Sequence, residues 1–140
     1  RLGDARARLG AAVDAAMLRS GGATDAELRR WAADVGRTAA ASWWRLNAAL
    51  WSARRASGAA APTASAVRST HRRLVRIAYR DPMAIADLRV DGEDLVAAGV
   101  RQGPEIGSTL KRLLEVVIED PAANRRETLL ALAVEGQKKL

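Results

Sequence analysis

Residues 104–121 read PEIGSTLKRLLEVVIEDP, and this stretch decides the fold class. Its apolar side chains recur at the spacing i, i+3, i+4, i+7 and i+8, which places them along one side of an α-helix. They are Leu110, Leu113, Leu114, Val117 and Ile118. Proline is favoured at the first position of a helix, and the residue before a proline avoids helical dihedral angles. The stretch therefore predicts one amphipathic helix, from Pro104 to Glu119, packed against a core.

The rest of the chain favours helices as well. Phenylalanine is absent and tyrosine occurs once, whereas alanine, leucine, arginine and glutamate, which are strong helix formers, are abundant. Thr24 with Glu27, and Asn124 with Glu127, have the spacing of capping boxes, which open helices. We expect an all-α fold of about six to seven helices in one or two small subdomains.

One segment has the composition of a linker. Residues 57–65 are rich in Gly, Ala, Pro and Ser, which is typical of loops. We therefore predict a helical body-like subdomain at 1–58, a linker at 59–65 and a helical tail-like subdomain at 66–140. The first residue is Arg1 rather than Met, so we expect the sequence to be part of a longer chain.

The composition excludes several kinds of chemistry. Cysteine is absent and His71 is the only histidine, which excludes disulfides, thiol nucleophiles and the usual zinc ligand sets. Asp91, Glu93 and Asp94 begin a predicted helix, where carboxylates more often cap backbone N–H groups than bind magnesium. We expect neither a catalytic site nor a cofactor in this chain. No apolar run approaches the roughly 20 residues that a bilayer requires, so we expect a cytoplasmic protein without membrane contact.

Charge is unevenly distributed along the chain. Residues 1–80 contain 15 Arg and 5 acidic residues, whereas residues 81–140 contain 8 basic and 11 acidic residues. Residues 35–80 contain nine Arg and no Asp or Glu. An acid-free basic stretch of this kind attracts polyanions, and a nucleic acid is the partner that it favours.

Four arginines within that stretch recur every four residues: Arg68, Arg72, Arg76 and Arg80. On a helix they form one row with roughly 6 Å of rise between neighbours, flanked by His71 and Arg73. Like charges at i, i+4 destabilise a helix unless anions lie beside them. We predict that these six residues contact an RNA phosphate backbone, and the alternative is an ordinary solvated helix face.

Two further motifs each allow two interpretations, a nucleic-acid-binding role or a purely structural one. Residues 99–107, GVRQGPEIG, resemble a helix-hairpin-helix connection, in which Arg101, Gly103 and Gly107 would approach a phosphate at a helix N-terminus. The alternative is a tight corner between helices, with Glu105 offsetting the helix dipole. The tryptophans 31, 43, 44 and 51 are expected to form a core, and the alternative is base stacking on an exposed ring.

The second half of the chain carries a recognisable set of motifs. LRVDGEDL at 88–95 is followed by Gly99, by GPEIG at 103–107 and by a leucine-rich helix, and IAYRDP occupies 77–82. This order resembles the C-terminal region of bacterial CCA-adding tRNA nucleotidyltransferases, in which L-x-V-x-G-x-D-L precedes a Gly, G-P-x-[IL]-G and a Leu-rich helix. The similarity covers roughly residues 70–135, and residues 24–56 are similar only in outline.

The resemblance implies that this chain is the tRNA-binding body and tail of a larger enzyme. The parent's N-terminal head and neck would use Mg²⁺, CTP and ATP to add CCA, or A alone, and none of their motifs occurs here. Through arginine–phosphate contacts, this chain would hold the acceptor and T arms of tRNA. The expected RNA-binding residues are Arg68, His71, Arg72, Arg73, Arg76, Arg80, Arg101, Gly103 and Gly107.

Two other functions remain open at this stage. A helical adaptor for an acidic protein would use the Trp face and the Leu stripes as its contact surface. A helix-hairpin-helix-like DNA-binding module would use the turn at 99–107. The oligomeric state is left open by the sequence.

Overall fold

The computed structural model describes residues 1–138. Within that range the chain forms seven α-helices and no β-strand. The helices are α1 Leu2–Leu18, α2 Asp25–Val35, α3 Ala40–Ala56, α4 Ala64–Arg80, α5 Gly92–Ala97, α6 Pro104–Glu119 and α7 Arg126–Lys138. The chain divides into two units, with the first ending at Asp81 and the second beginning at Pro82. The predicted all-α fold is confirmed.

The first unit is built on a cluster of four tryptophans. Trp31 of α2 stacks on Trp44 of α3 at 6.5 Å between ring centroids, and Trp43 and Trp51 meet Trp44 edge to face. All four side chains are buried, so the prediction that they form a core is confirmed. The indole Nε1–H of Trp44 donates to the carbonyl oxygen of Val67 at 3.1 Å, which ties α3 to α4.

A polar network joins α1 to α3 beside this cluster. The Arg6 guanidinium donates to both carboxylate oxygens of Asp14 at 3.0 Å, and to Asn47 Oδ1 at 2.6 Å. Trp51 Nε1 and Arg54 donate to the same carboxylate at 2.8 and 2.9 Å. Burial raises the pKa of Asp14, but these three donors outweigh burial and lower the pKa from 3.8 to about 2.

The second unit packs α5 and α7 against the apolar side of α6. Its buried core consists of Leu88, Val90, Leu95, Val100, Leu113, Val117, Leu129 and Ala133. Helix α6 begins at Pro104 and ends at Glu119, as predicted, and Leu113, Val117 and Ile118 of its stripe are buried. Asp91 and Asp94 form a capping box at the start of α5, which confirms the capping role of this acidic cluster.

The two predicted capping boxes have different outcomes. Thr24 and Glu27 form theirs at the start of α2. The box at Asn124 and Glu127 is wrong, because the Asn124 amide is engaged elsewhere. Its oxygen accepts from the Arg89 N–H at 2.9 Å and its nitrogen donates to the Asp87 carbonyl at 3.0 Å. Asn124 therefore ties the segment before α5 to the segment before α7.

The linker-like segment lies inside the first unit. The loop of residues 57–63 joins α3 to α4, the last two residues of the predicted linker form the first two positions of α4, and α4 packs against α2 and α3. The division into units falls at Asp81–Pro82, so it differs from the predicted boundary at 59–65. The physical reason is the apolar side of α4, whose Val67, Leu74 and Ile77 are buried in the first unit's core. The composition of residues 57–65, rich in Gly, Ala, Pro and Ser, therefore indicated a loop between two helices of one unit and not a boundary between units.

Among the helices of residues 1–138, none combines the length and the apolar character that crossing a bilayer requires.

The Asp14 network predicts a pH-dependent stability. Because the folded-state pKa of Asp14 is below its ordinary value of 3.8, its contribution is present above pH 4 and is lost as the pH falls towards 2. We expect Asp14→Asn to lower the free energy of unfolding by about 2 kcal/mol at pH 7, and by much less near pH 2. Urea unfolding followed by tryptophan fluorescence measures both values.

Asp4→Asn is the matched control for this prediction, because the Asp4 side chain is 88% exposed. It should leave the urea midpoint unchanged at either pH. An Asp14→Asn protein as stable as the wild type at pH 7 would contradict the role assigned to the network.

Candidate nucleic-acid interface

Helix α4 presents one apolar side and one arginine side. The Thr63 hydroxyl accepts from the Ala66 N–H at 3.1 Å and caps the helix, and Asp81 ends it. The buried side consists of Val67, Thr70, Leu74, Ile77 and Ala78. At about 100° of rotation per residue, the row of arginines 68, 72, 76 and 80 is centred about 170° from that buried side. The core packing of α4 therefore directs the row outward.

These four arginines, which we call the arginine row, are exposed and unpaired. Arg68, Arg72, Arg76 and Arg80 all have exposed side chains. Within residues 1–138, none of the four forms an ion pair or a side-chain hydrogen bond. No carboxylate of the described residues therefore compensates their charges at hydrogen-bonding distance.

Other arginines of the first unit do have partners, including Arg37 and Arg54, which lie in the acid-free stretch 35–80. Arg54 pairs with Asp14 at 2.9 Å, and Arg29, which is 7% exposed, pairs with Asp81 at 3.1 Å. Arg37 donates to the Ala78 carbonyl at 2.6 Å. The fold thus brings carboxylates and carbonyls to these arginines, whereas none from residues 1–138 reaches the arginine row.

The two residues that flank the row have different surroundings. Arg73 donates to Asp25 at 2.6 Å and to the Ala23 carbonyl at 3.0 Å, so it ties α4 to the start of α2. His71 is half-buried on the α3 side, where burial and the positive charge of Arg45 lower its pKa from 6.5. At neutral pH the imidazole is therefore uncharged.

The tryptophans do not belong to the interface. Trp31 is 5% exposed and the other three are fully buried. A base cannot reach these rings, so base stacking on a tryptophan is excluded.

The glycine-rich turn lies in the second unit. Gly99 and Gly103 adopt φ values of 103° and 120°, a region that L side chains rarely occupy. Arg101 is exposed, and its guanidinium lies 3.8 Å from the Glu105 carboxylate. Gly107 is exposed on α6, and a Cβ built there meets no atom within 4 Å. The fold itself therefore does not require a glycine at 107.

Within residues 1–138, no three carboxylate or imidazole side chains converge on one point where they could hold a metal ion.

Comparison with known protein families decides the relationship. Residues 48–133, more than half of the chain, match the family described as tRNA nucleotidyltransferase domain 2. The chain belongs to this family. Searches among curated proteins and among solved structures gave no significant match.

The matched segment of this tRNA nucleotidyltransferase domain includes both candidate regions. It begins in α3, contains the whole arginine row on α4 and the turn at 99–107, and ends in α7. The resemblance noted over residues 70–135 thus lies almost entirely within the matched segment.

One exposed residue of the α4 surface was not among the predicted site residues. Tyr79 is 65% exposed, the highest value among the exposed large apolar and aromatic side chains. Its position seven residues after Arg72 places the ring on the arginine side of the helix. That spacing was the signal in the sequence that could have identified it.

The exposed arginines of the row and the buried, ion-paired Arg29 should differ in their effect on the free energy of unfolding. Arg72→Ala/Arg76→Ala should change the free energy of unfolding by less than about 0.5 kcal/mol, because both side chains are exposed and removing them relieves repulsion. Arg29→Ala should cost about 2 kcal/mol or more, because it leaves Asp81 without its buried partner. Urea denaturation measures both changes, and a loss above about 1 kcal/mol in the double variant would show that the row stabilises the fold.

Proposed function

We propose that this domain binds tRNA through the arginine row of α4, and holds it for a nucleotidyltransferase parent that adds CCA, or A alone, to the 3′ end. The observation that carries the proposal is the set of four exposed guanidiniums on the side of α4 opposite the core, which have no ion-pair or hydrogen-bond partner among residues 1–138. Family membership supports the choice of tRNA as the polyanion. The expected setting is the cytoplasm.

Electrostatics explains why a polyanion should bind here. Four like charges at successive i, i+4 spacings cost the free protein a few tenths of a kcal/mol per pair. A phosphate backbone laid along α4 replaces this repulsion with charge-assisted hydrogen bonds, in which each guanidinium can donate to two phosphate oxygens. Binding therefore relieves an unfavourable interaction of the free state.

A contact between guanidiniums and backbone phosphates suits an RNA that is folded into A-form helices. Side chains cannot read base edges in the deep, narrow major groove of A-form RNA, so proteins recognise such helices by their phosphates and 2′-hydroxyls. A row of guanidiniums that winds slowly along one helix, by about 40° per step, matches this mode, in which backbone shape is recognised instead of sequence. We expect tRNA to be preferred over unstructured RNA.

His71 and Arg73, which flank the row, make secondary contributions in this proposal. Arg73, whose guanidinium is already bound to Asp25 and to the Ala23 carbonyl, positions α4 and contacts RNA only at the edge of the row. His71, with its lowered pKa, contacts the RNA as a neutral hydrogen-bonding group.

The glycine turn of the second unit supplies a second contact. Gly107 leaves open space on the exposed side of α6, so an RNA backbone can approach the helix closely there. Arg101 lies near Glu105 and offsets its negative charge. We propose that Arg101, Gly103 and Gly107 contact phosphate in this way. Mg²⁺, CTP and ATP are assigned to the parent's catalytic head.

The protein-adaptor alternative has less support. It would use the Trp face and the Leu stripes, but the tryptophans are buried, as are Leu113, Val117 and Leu129. DNA binding through the glycine turn is an outcome of the experiments below.

Salt dependence tests the arginine row. If about four to six phosphates are neutralised, log affinity for tRNA should fall with log salt at a slope of roughly 3 to 5. Arg72→Ala/Arg76→Ala should reduce that slope by about 1.5 and weaken binding, because two phosphate contacts are lost. Fluorescence anisotropy with labelled tRNA at several salt concentrations measures both quantities.

A second double variant separates a local contact from a general effect of net charge. Arg8→Ala/Arg19→Ala removes the same charge, but Arg8 and Arg19 pair with Asp34 and Glu27. The slope should change much less than in the arginine-row variant. Equal slopes for the two double variants would remove the row from the interface, and equal competition by duplex DNA would favour the DNA-binding alternative.

A charge placed at Gly107 tests the second contact. Gly107→Glu should weaken tRNA binding by roughly fivefold relative to Gly107→Gln, because the two side chains have the same size and differ in charge. Both should fold, since a Cβ at this position meets open space. The same anisotropy titration provides the measurement, and equal affinities of the two variants would mean that the turn is only a corner between helices.

A further inference from the structure

The arginine side of α4 includes one aromatic ring. Tyr79 is the only tyrosine of the chain and is 65% exposed, whereas every tryptophan is buried. Within residues 1–138 its ring contacts no other aromatic ring and its hydroxyl forms no hydrogen bond. The fold therefore does not use this side chain, and an exposed aromatic ring is a common element of nucleic-acid surfaces.

The position of the ring connects it to the row. Tyr79 follows Arg72 by seven residues and Arg68 by eleven, so all three lie within about 20° of one line along the helix. Arg76 is one turn before it and Arg80 is its neighbour in sequence. A ligand that occupies the row with its phosphates therefore brings its adjoining base or sugar to the Tyr79 ring.

The chemistry of a phenol ring limits what that ligand can be. A base inside a continuous duplex is covered on both faces by its neighbours, so a side chain cannot stack on it. A ring can stack on a base only where the stack ends, at an unpaired nucleotide or at the end of a helix. The neighbouring cations make an apolar protein segment a poorer partner for the ring than a phosphate-bearing nucleotide.

We propose that Tyr79 stacks on a nucleobase exposed where an RNA base stack ends, while the arginine row holds the phosphates of the adjoining duplex. This inference rests on the proposed function and deepens it. It means that α4 selects a junction between paired and unpaired nucleotides in addition to a general A-form backbone.

Two substitutions at Tyr79 test the inference in the full 140-residue chain. Tyr79→Leu keeps an apolar side chain but removes the π face, whereas Tyr79→Phe keeps the ring and removes only the hydroxyl. We expect Tyr79→Leu to weaken tRNA binding by roughly 5- to 100-fold, and Tyr79→Phe by less than about threefold. The salt slope should stay at the wild-type value in both, because no phosphate contact is lost.

The second probe is an RNA duplex long enough for its internal binding sites to outnumber its two ends many times, so that the measured affinity is that of internal sites, where every base is covered by its neighbours. Its affinity should be the same for the wild type and Tyr79→Leu. Circular dichroism and urea midpoints establish that both variants fold, which the exposure of Tyr79 favours.

Each contrary result has a separate meaning. Wild-type affinity of Tyr79→Leu for tRNA, an equal loss in Tyr79→Phe, or an equal loss on the long RNA duplex would overturn stacking. The proposed function would stand if the wild type still bound tRNA with a steep salt slope that the arginine-row variant reduced. A wild type without salt-dependent tRNA binding would overturn the proposed function itself.

Discussion

Repulsion between like charges on α4 is the constraint on which the account depends. Arg68, Arg72, Arg76 and Arg80 lie on one exposed side of a single helix, and no described side chain relieves their charge. Elsewhere in the first unit, Asp14, Asp25 and other acids reach across from different helices to pair with arginines. Because no acid of the described residues pairs with the row, its positive charge has to be balanced by ions from solution or by a bound anionic ligand.

The remaining structure holds this surface rigid. Trp44 fixes α3 to α4 through the Val67 carbonyl, and Arg73 fixes the other side of α4 to α2. The Asp14 network secures α1 against α3 behind the tryptophan cluster. A helix held in this way keeps the backbone positions of the four arginines in register, so less backbone entropy is lost when a ligand binds. The stability of the core thus contributes to function indirectly, through preorganisation.

Local sequence patterns predicted the local structure well. The bounds of α6, the Thr24 capping box and the single-sided arginine row follow from spacings of three, four or seven residues.

Interactions between distant residues were not predictable in this way. Arg73 meets Asp25 48 positions away, and Asn124 meets Asp87 37 positions away. The division after Asp81, and not at residues 59–65, has the same origin, because it depends on which core accepts the apolar side of α4. Likewise, the exposure of Tyr79 became visible only once the buried side of α4 was known.

Arginine-specific footprinting by phenylglyoxal and mass spectrometry tests the central claim most directly, because it reports on each guanidinium separately. In the free protein, the four exposed arginines of the row should react faster than the ion-paired Arg8 and Arg19, and bound tRNA should protect them while leaving Arg8 and Arg19 as reactive as before. Continued reactivity of the row in the presence of saturating tRNA, with protection at other arginines, would contradict the account.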